Sequence, residues 1–127
     1  MVPIASSDDV VIARQLGRAL GSTLGFAGAD LTVITSAISE LAGNIIEYAE
    51  RGAIVMTIVE KAGRPGLKIE ARDAGPGMPQ RAPTAIGSSA GPRLGIGLSG
   101  VRRLMDEFEI QSSAGEGTRV TVRKWVP

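Results

Sequence analysis

The chain has 127 residues, 43% of them hydrophobic and 21% charged, the make-up of an ordinary globular domain of about 100 to 150 residues. Its 14 basic and 13 acidic side chains leave a net charge of +1, so the broad electropositive surface that nucleic acid needs is not expected. Cysteine and histidine are both absent. This excludes disulfide scaffolds, thiolate sites, Ser-His-Asp catalysis and a self-modifying histidine, and it leaves acid–base work to a carboxylate or a metal.

In chain order, Val2 to Ala5 reads as a short edge strand, and Ser6-Ser7 followed by Asp8-Asp9 reads as a helix start with an acidic first turn. Met1 to Val11 carries no basic leader pattern, and no apolar run approaches the roughly 18 residues of a membrane span, so a soluble, untargeted chain without a membrane partner is expected. Ile12, Leu16, Leu20 and Leu24 recur every fourth residue and predict that the first helix buries that stripe, with Gly25 to Gly28 ending it. From Asp30, the series Leu31, Ile34, Ile38, Leu41 and Ile45 predicts a second helix running to Tyr48 and Ala49, stopped at Gly52. Two strands follow, Ala53 to Glu60 and Leu67 to Asp73, joined through a turn spanning Ala62 to Gly66. In the second strand Leu67, Ile69 and Ala71 share one face, and period two places Asp73 on that apolar face.

Residues 74 to 93 are rich in Gly, Pro, Ser and Ala without apolar periodicity. A connector of about twenty residues in so small a domain reads as a lid or binding loop, centred on about 78 to 94. Leu98, Val101, Leu104, Met105 and Phe108 restore helical spacing, and Glu109 to Ser112 with Thr118 to Val126 form a closing hairpin whose inner face carries Thr118, Val120 and Val122. The predicted fold is α+β in one domain over 1 to 127: a two-layer sandwich of a mostly antiparallel or mixed sheet covered on one side by three helices.

Three motifs carry chemistry. Glu40 and Asn44 lie four apart on the second helix, on one face, and offer a carboxylate and an amide oxygen suited to a hard cation such as magnesium and to a base for a nearby hydroxyl. The same spacing also fits a plain polar row that Glu47 continues. Asp73 opens Asp-Ala-Gly-Pro-Gly-Met at a strand end, where glycines let the backbone approach a ligand. An inward carboxylate wants hydrogen-bond donors, and the exocyclic amine of a purine is one; an Asp-Gly turn satisfying its own backbone is the other reading. Arg93-Leu94-Gly95-Ile96-Gly97-Leu98 places glycines before a helix, where free N–H groups can hold phosphates or merely start the helix. A Rossmann reading of Gly95, Gly97 and Gly100 fails because no strand precedes them, and there is no Walker A motif. The three together describe a nucleoside triphosphate site.

E-L-A-G-N at Glu40 to Asn44, D-A-G-P-G at Asp73 to Gly77 and G-I-G-L at Gly95 to Leu98 resemble the N, G1 and G2 boxes of the GHKL superfamily, the Bergerat or histidine-kinase-like ATP fold of gyrase, Hsp90, MutL and histidine kinases. The segments L-S-G-V-R-R-L-M-D-E-F-E-I and G-T-R-V-T-V-R-K-W further resemble its small anti-sigma serine kinases, in particular the RsbT-type stressosome switch kinases. The resemblance implies a cytoplasmic, Mg2+- and ATP-dependent serine/threonine kinase. Asn44 would hold the magnesium and Glu40 would act as base. Asp73 would accept from the adenine amine, with Gly75 and Gly77 beside the base and Thr118 near the adenine end. Gly95, Ile96, Gly97 and Leu98 would meet the phosphates, and Arg93 the γ-phosphate, although related kinases often carry glycine there. Gly43, beside Asn44, costs about 1 kcal/mol of helix propensity. Implied partners are STAS-domain proteins of the stressosome, a PP2C-type phosphatase and, since family members pair, a second copy of the chain. The alternative is an anti-sigma or phosphatase-activating binding module in which ATP is a structural ligand; only the kinase needs Glu40.

Overall fold

The computed structural model describes residues 1–75, 97–113, 115 and 117–127. The proposed lid at 78–94 lies outside the described residues. The elements are β1 (Val2–Ile4), α1 (Ser7–Leu24), α2 (Ala29–Ala49), β2 (Gly52–Lys61), β3 (Arg64–Asp73), α3 (Gly97–Leu104), β4 (Glu107–Ser113) and β5 (Gly117–Trp125). Among the described residues they form one five-stranded sheet in the order β1-β2-β3-β5-β4, with every pairing antiparallel and none parallel. The helices cover one face. Ile54, Leu67, Ile69, Ala71, Val120 and Val122 from that face are buried with Ile34, Ile38, Leu41 and Ile45 of α2 and Leu98 and Val101 of α3.

α1 begins where the acidic first turn predicts, with Asp9 Oδ2 accepting from the backbone N–H groups of Ala5 and Ser6 at 2.8 and 3.1 Å. Its buried face follows the predicted stripe only in part: Leu20 and Leu24 are half-buried and pack against the core, but the face is centred elsewhere. The residues sealed against the core are Ala13, Gly17 and Gly21, whereas Ile12 and Leu16 are 52% and 39% exposed. The reason is steric. A Cβ at Gly17 would sit 2.1 Å from Ile38 Cδ1, and one at Gly21 would sit 2.9 Å from Leu31 Cδ2, so the side chains of α2 fill the space that larger residues on α1 would need.

Three boundaries also differ from expectation. α2 ends at Ala49 as expected, but its cap is Glu50 at φ 68° and not Gly52, which already pairs with Ile4 on one side and Asp73 on the other. The β2–β3 hairpin closes in two residues, Ala62 and Gly63, both at positive φ as a type I′ turn requires, and Arg64 to Gly66 join the strand. Gly66 is needed there because the Trp125 ring lies over it, 2.4 Å from where a Cβ would be. Phe108 belongs to β4, opposite Val122, since the helical bonding stops at Met105 N–H to Val101 O and Asp106 turns to pair with Arg123.

The opposite face of the sheet is charged. Glu70 is buried there between Arg72 and Arg119, and Arg123 reaches both Glu107 and Glu109. The α1 geometry sets a prediction for urea unfolding at low protein concentration. Ile12→Gln should change stability by no more than about 0.5 kcal/mol, whereas Ile38→Ala should cost about 2 to 5 kcal/mol.

Candidate nucleotide site

Glu40 and Asn44 stand one turn apart on α2, only 3% and 5% exposed, and each residue takes part in an interaction within the structure. A plain solvated row would leave them in water, as it leaves the exposed Glu47. α2 can hold them inside because its other neighbours are small or apolar: Ala37, Leu41, Ala42 and Ile45 are buried around them. Burying a carboxylate is costly unless its oxygens are used, which is the mark of a site and not of a surface helix.

β3 delivers Asp73 to the other end of the site. Its side chain lies on the helix-facing side, in register with Gly52 of β2 and Thr118 of β5. Oδ1 accepts from Gly75 N–H at 3.0 Å and from Thr118 N–H at 3.2 Å, so half of the carboxylate does act as an Asp-Gly turn. Among the described residues Oδ2 makes no hydrogen bond and keeps its acceptor capacity, so the two readings of this motif are compatible. Thr118 is itself fixed: its Oγ1 lies 3.0 Å from Ser112 Oγ. Gly75 sits against α2, where a Cβ would come within 2.6 Å of Ala49 Cβ.

That contact ties the two motifs together. Asp73, Gly75 and Thr118 gather at the C-terminal end of α2, and with a rise of about 1.5 Å per residue Asn44 lies about 7.5 Å and Glu40 about 14 Å back along the axis from Ala49. The spacing suits an extended ligand with one end at the strand termini and the other along the helix. α3 opens with Gly97 at φ 73° and buries Gly97 and Leu98 while packing on α2. Its first N–H groups are therefore available for phosphate at the edge of the same helix. Gly77, Arg93, Gly95 and Ile96 lie outside the described residues.

Four residues that hold the site do not stand out in the sequence. Gly117, at φ 92°, would place a Cβ 2.1 Å from Asp73 O, and Gly52 would place one 2.2 Å from Arg72 O and 3.1 Å from Asp73 Cβ. Ser112 supports Thr118, and Ala49 accommodates Gly75. Both glycines open a strand, a position that signals close backbone approach and not only a turn.

With this geometry in view, the chain matches the histidine kinase-like ATPase domain over residues 5–124 and belongs to that family. Within it, the chain is similar to the serine/threonine-protein kinase RsbT of Bacillus subtilis (strain 168), at 50% identity over 126 residues that cover 98% of this chain and 95% of that protein. The fold is also that of the mycobacterial sensor histidine kinase MprB, at a TM-score of 0.56 and 15% identity, covering 97% of this chain and 95% of the other. ATP is accordingly the nucleotide. No helix among the described residues is long and apolar enough to cross a membrane.

Gly117→Ala should destabilise the fold by about 1 to 3 kcal/mol through the clash with the Asp73 carbonyl. Thermal unfolding followed by circular dichroism reads this directly.

Proposed function

We propose that the protein is a magnesium-dependent serine/threonine protein kinase that acts in the cytoplasm, uses ATP to phosphorylate STAS-domain partners and thereby switches their binding in bacterial stress signalling, with a PP2C-type phosphatase as the other partner. The observation that carries this reading is the buried Glu40–Asn44 pair, one turn apart on the helix whose far end closes on Asp73. A module that used ATP only as a structural ligand would have no need of a sequestered carboxylate beside the phosphate end of the site.

The roles follow from position. Asp73 Oδ2 accepts from the adenine amino group while Oδ1 stays locked to Gly75 and Thr118, so the acceptor is held before the base arrives. Glu40 takes the proton from the substrate serine or threonine hydroxyl as its oxygen bonds to the γ-phosphorus and the bond to the β-phosphate oxygen breaks, releasing ADP. The donor set fits magnesium. Among the described residues no group of three or more His, Cys, Asp or Glu could hold a metal by itself. Magnesium is commonly held by one or two protein oxygens together with substrate phosphates and water. The Asn44 amide oxygen would supply the protein donor, and the metal would supply neutralisation of the phosphate charge.

Glu40→Gln should slow transfer of labelled γ-phosphate to a STAS-domain protein by about 10²- to 10⁴-fold while calorimetry shows ATP still bound. Transfer at the wild-type rate would leave sequestration as the activity. Asp73→Asn puts an NH2 group opposite the adenine amine and should cost about 1.5 to 3 kcal/mol of ATP affinity with the fold retained; undiminished binding would remove the adenine role.

A further inference from the structure

The outer face of the sheet, turned away from the helices, carries charge that the nucleotide site does not use. At the end of the strands nearest that site, register sets Arg72 of β3 against Arg119 of β5, and Arg119 in turn against Gln111 of β4. Like charges directly opposite each other on neighbouring strands repel. The two guanidinium groups share one carboxylate, that of Glu70, which is buried between them and meets Arg72 through Oε1 and Arg119 through Oε2, the latter at 3.7 Å. One negative charge for two positive ones leaves the row with a cation to spare. Further along the same face the charges pair off, with Glu107 and Glu109 meeting Arg123 and Lys61.

A cavity of about 300 Å³ opens at this row, walled by Arg72, Arg119 and Gln111 and ending against Asp73 and Thr118. Both arginines meet Glu70 through Nε, so the shared carboxylate holds the two planes in place while, among the described residues, their outer Nη donors stay uncommitted. The arginine side chains are 52% and 55% exposed, open enough for a solute to reach them. Gln111 adds an amide donor. Forked guanidinium donors match the oxygens of phosphate, and a phosphoryl group brings between one and two negative charges at neutral pH, more than enough to balance the spare cation. Asp73 turns its carboxylate to the helix-facing side, where Gly75 and Thr118 hold Oδ1, so it closes the cavity without taking the place of the anion.

We propose that Arg72, Arg119 and Gln111 form an anion site on the face of the sheet opposite Glu40 and Asn44, separate from the phosphates of the nucleotide, and that it takes a phosphoryl group, either free phosphate or phosphate carried on a protein side chain. Its position couples it to the nucleotide site. Arg72 precedes Asp73 and Arg119 follows Thr118, so an anion bridging the two guanidinium groups relieves their repulsion at the point where Thr118 N–H bonds Asp73 Oδ1.

Calorimetric titration of the full chain with inorganic phosphate tests this, at a low ionic strength held constant with chloride because salt screens exposed charges. The expected result is saturable binding that Arg72→Gln and Arg119→Gln each weaken about three- to tenfold, with ATP affinity in the absence of phosphate unchanged because neither side chain enters the nucleotide site. Glu70→Gln removes the competing carboxylate and should tighten phosphate binding, a change of opposite sign that a general salt effect would not give. If Glu70→Gln does not fold, the two arginine variants decide the matter by themselves. Phosphate binding untouched by both arginine substitutions, or no binding beyond that of chloride, overturns the proposal, as does a folded Glu70→Gln chain that binds phosphate no more tightly. A phosphoserine peptide that binds more tightly than inorganic phosphate, while its unphosphorylated form does not bind, assigns the site to a phosphorylated protein; a phosphopeptide no tighter than inorganic phosphate assigns it to the free anion.

Discussion

The functional end of the molecule depends on how closely three stretches of backbone approach Asp73. Gly52 at the start of β2, Gly75 just past β3 and Gly117 at the start of β5 all lie where a Cβ would collide, with Arg72 O, with Ala49 or with Asp73 O respectively. Only because these positions carry no side chain can β5 donate its Thr118 N–H to Oδ1 while the chain beyond β3 curls back against α2 to donate from Gly75. The carboxylate is thereby oriented by two backbone bonds before any ligand is present. Preorganising an acceptor in this way spares the ligand the cost of ordering it.

The same use of missing side chains recurs between the two long helices. Ala13, Gly17 and Gly21 let α1 settle onto α2 so closely that Ile38 and Leu31 occupy the space above the glycines. α2 is consequently clamped between α1 and the sheet, with Ile34, Ile38 and Leu41 wholly enclosed. A helix held on several sides can carry Glu40 and Asn44 into the interior without shifting to expose them. The rigidity that phosphoryl transfer needs thus comes from packing far from the reacting atoms.

Much of this was legible in the residues themselves. The α2 series Leu31 to Ile45 is buried as its spacing implies, the alternation of β3 places Asp73 on the helix-facing side, and the closing hairpin turns Thr118, Val120 and Val122 inward. α1 was legible as a helix, and Leu20 and Leu24 of its stripe pack on the core as the spacing implies, but its fully buried positions are Ala13, Gly17 and Gly21. Hydrophobic periodicity assumes that the larger apolar residue goes inside, and here the partner helix supplies the bulk, so the smallest residues are enclosed and Ile12 and Leu16 are not. Phe108 shows the same limit: it fits the spacing of α3, but the competing bonds of Asp106 with β5 end the helix first.

The sequence by itself determined the local events: which segments coil or extend, where carboxylate, amide and glycine motifs fall on them, and the family resemblance those motifs carry. Spacing along one chain is enough for these, because helical and strand periods are properties of a single element. Only the tertiary structure decided which side of α1 faces the core, that Gly52 and Gly117 make room for Asp73 and not merely for a turn or a helix stop, and that the strand ends close on the C-terminal end of α2. Those are relations between elements, set by the volume each leaves for the other, and no residue expresses them until its neighbour in space is known.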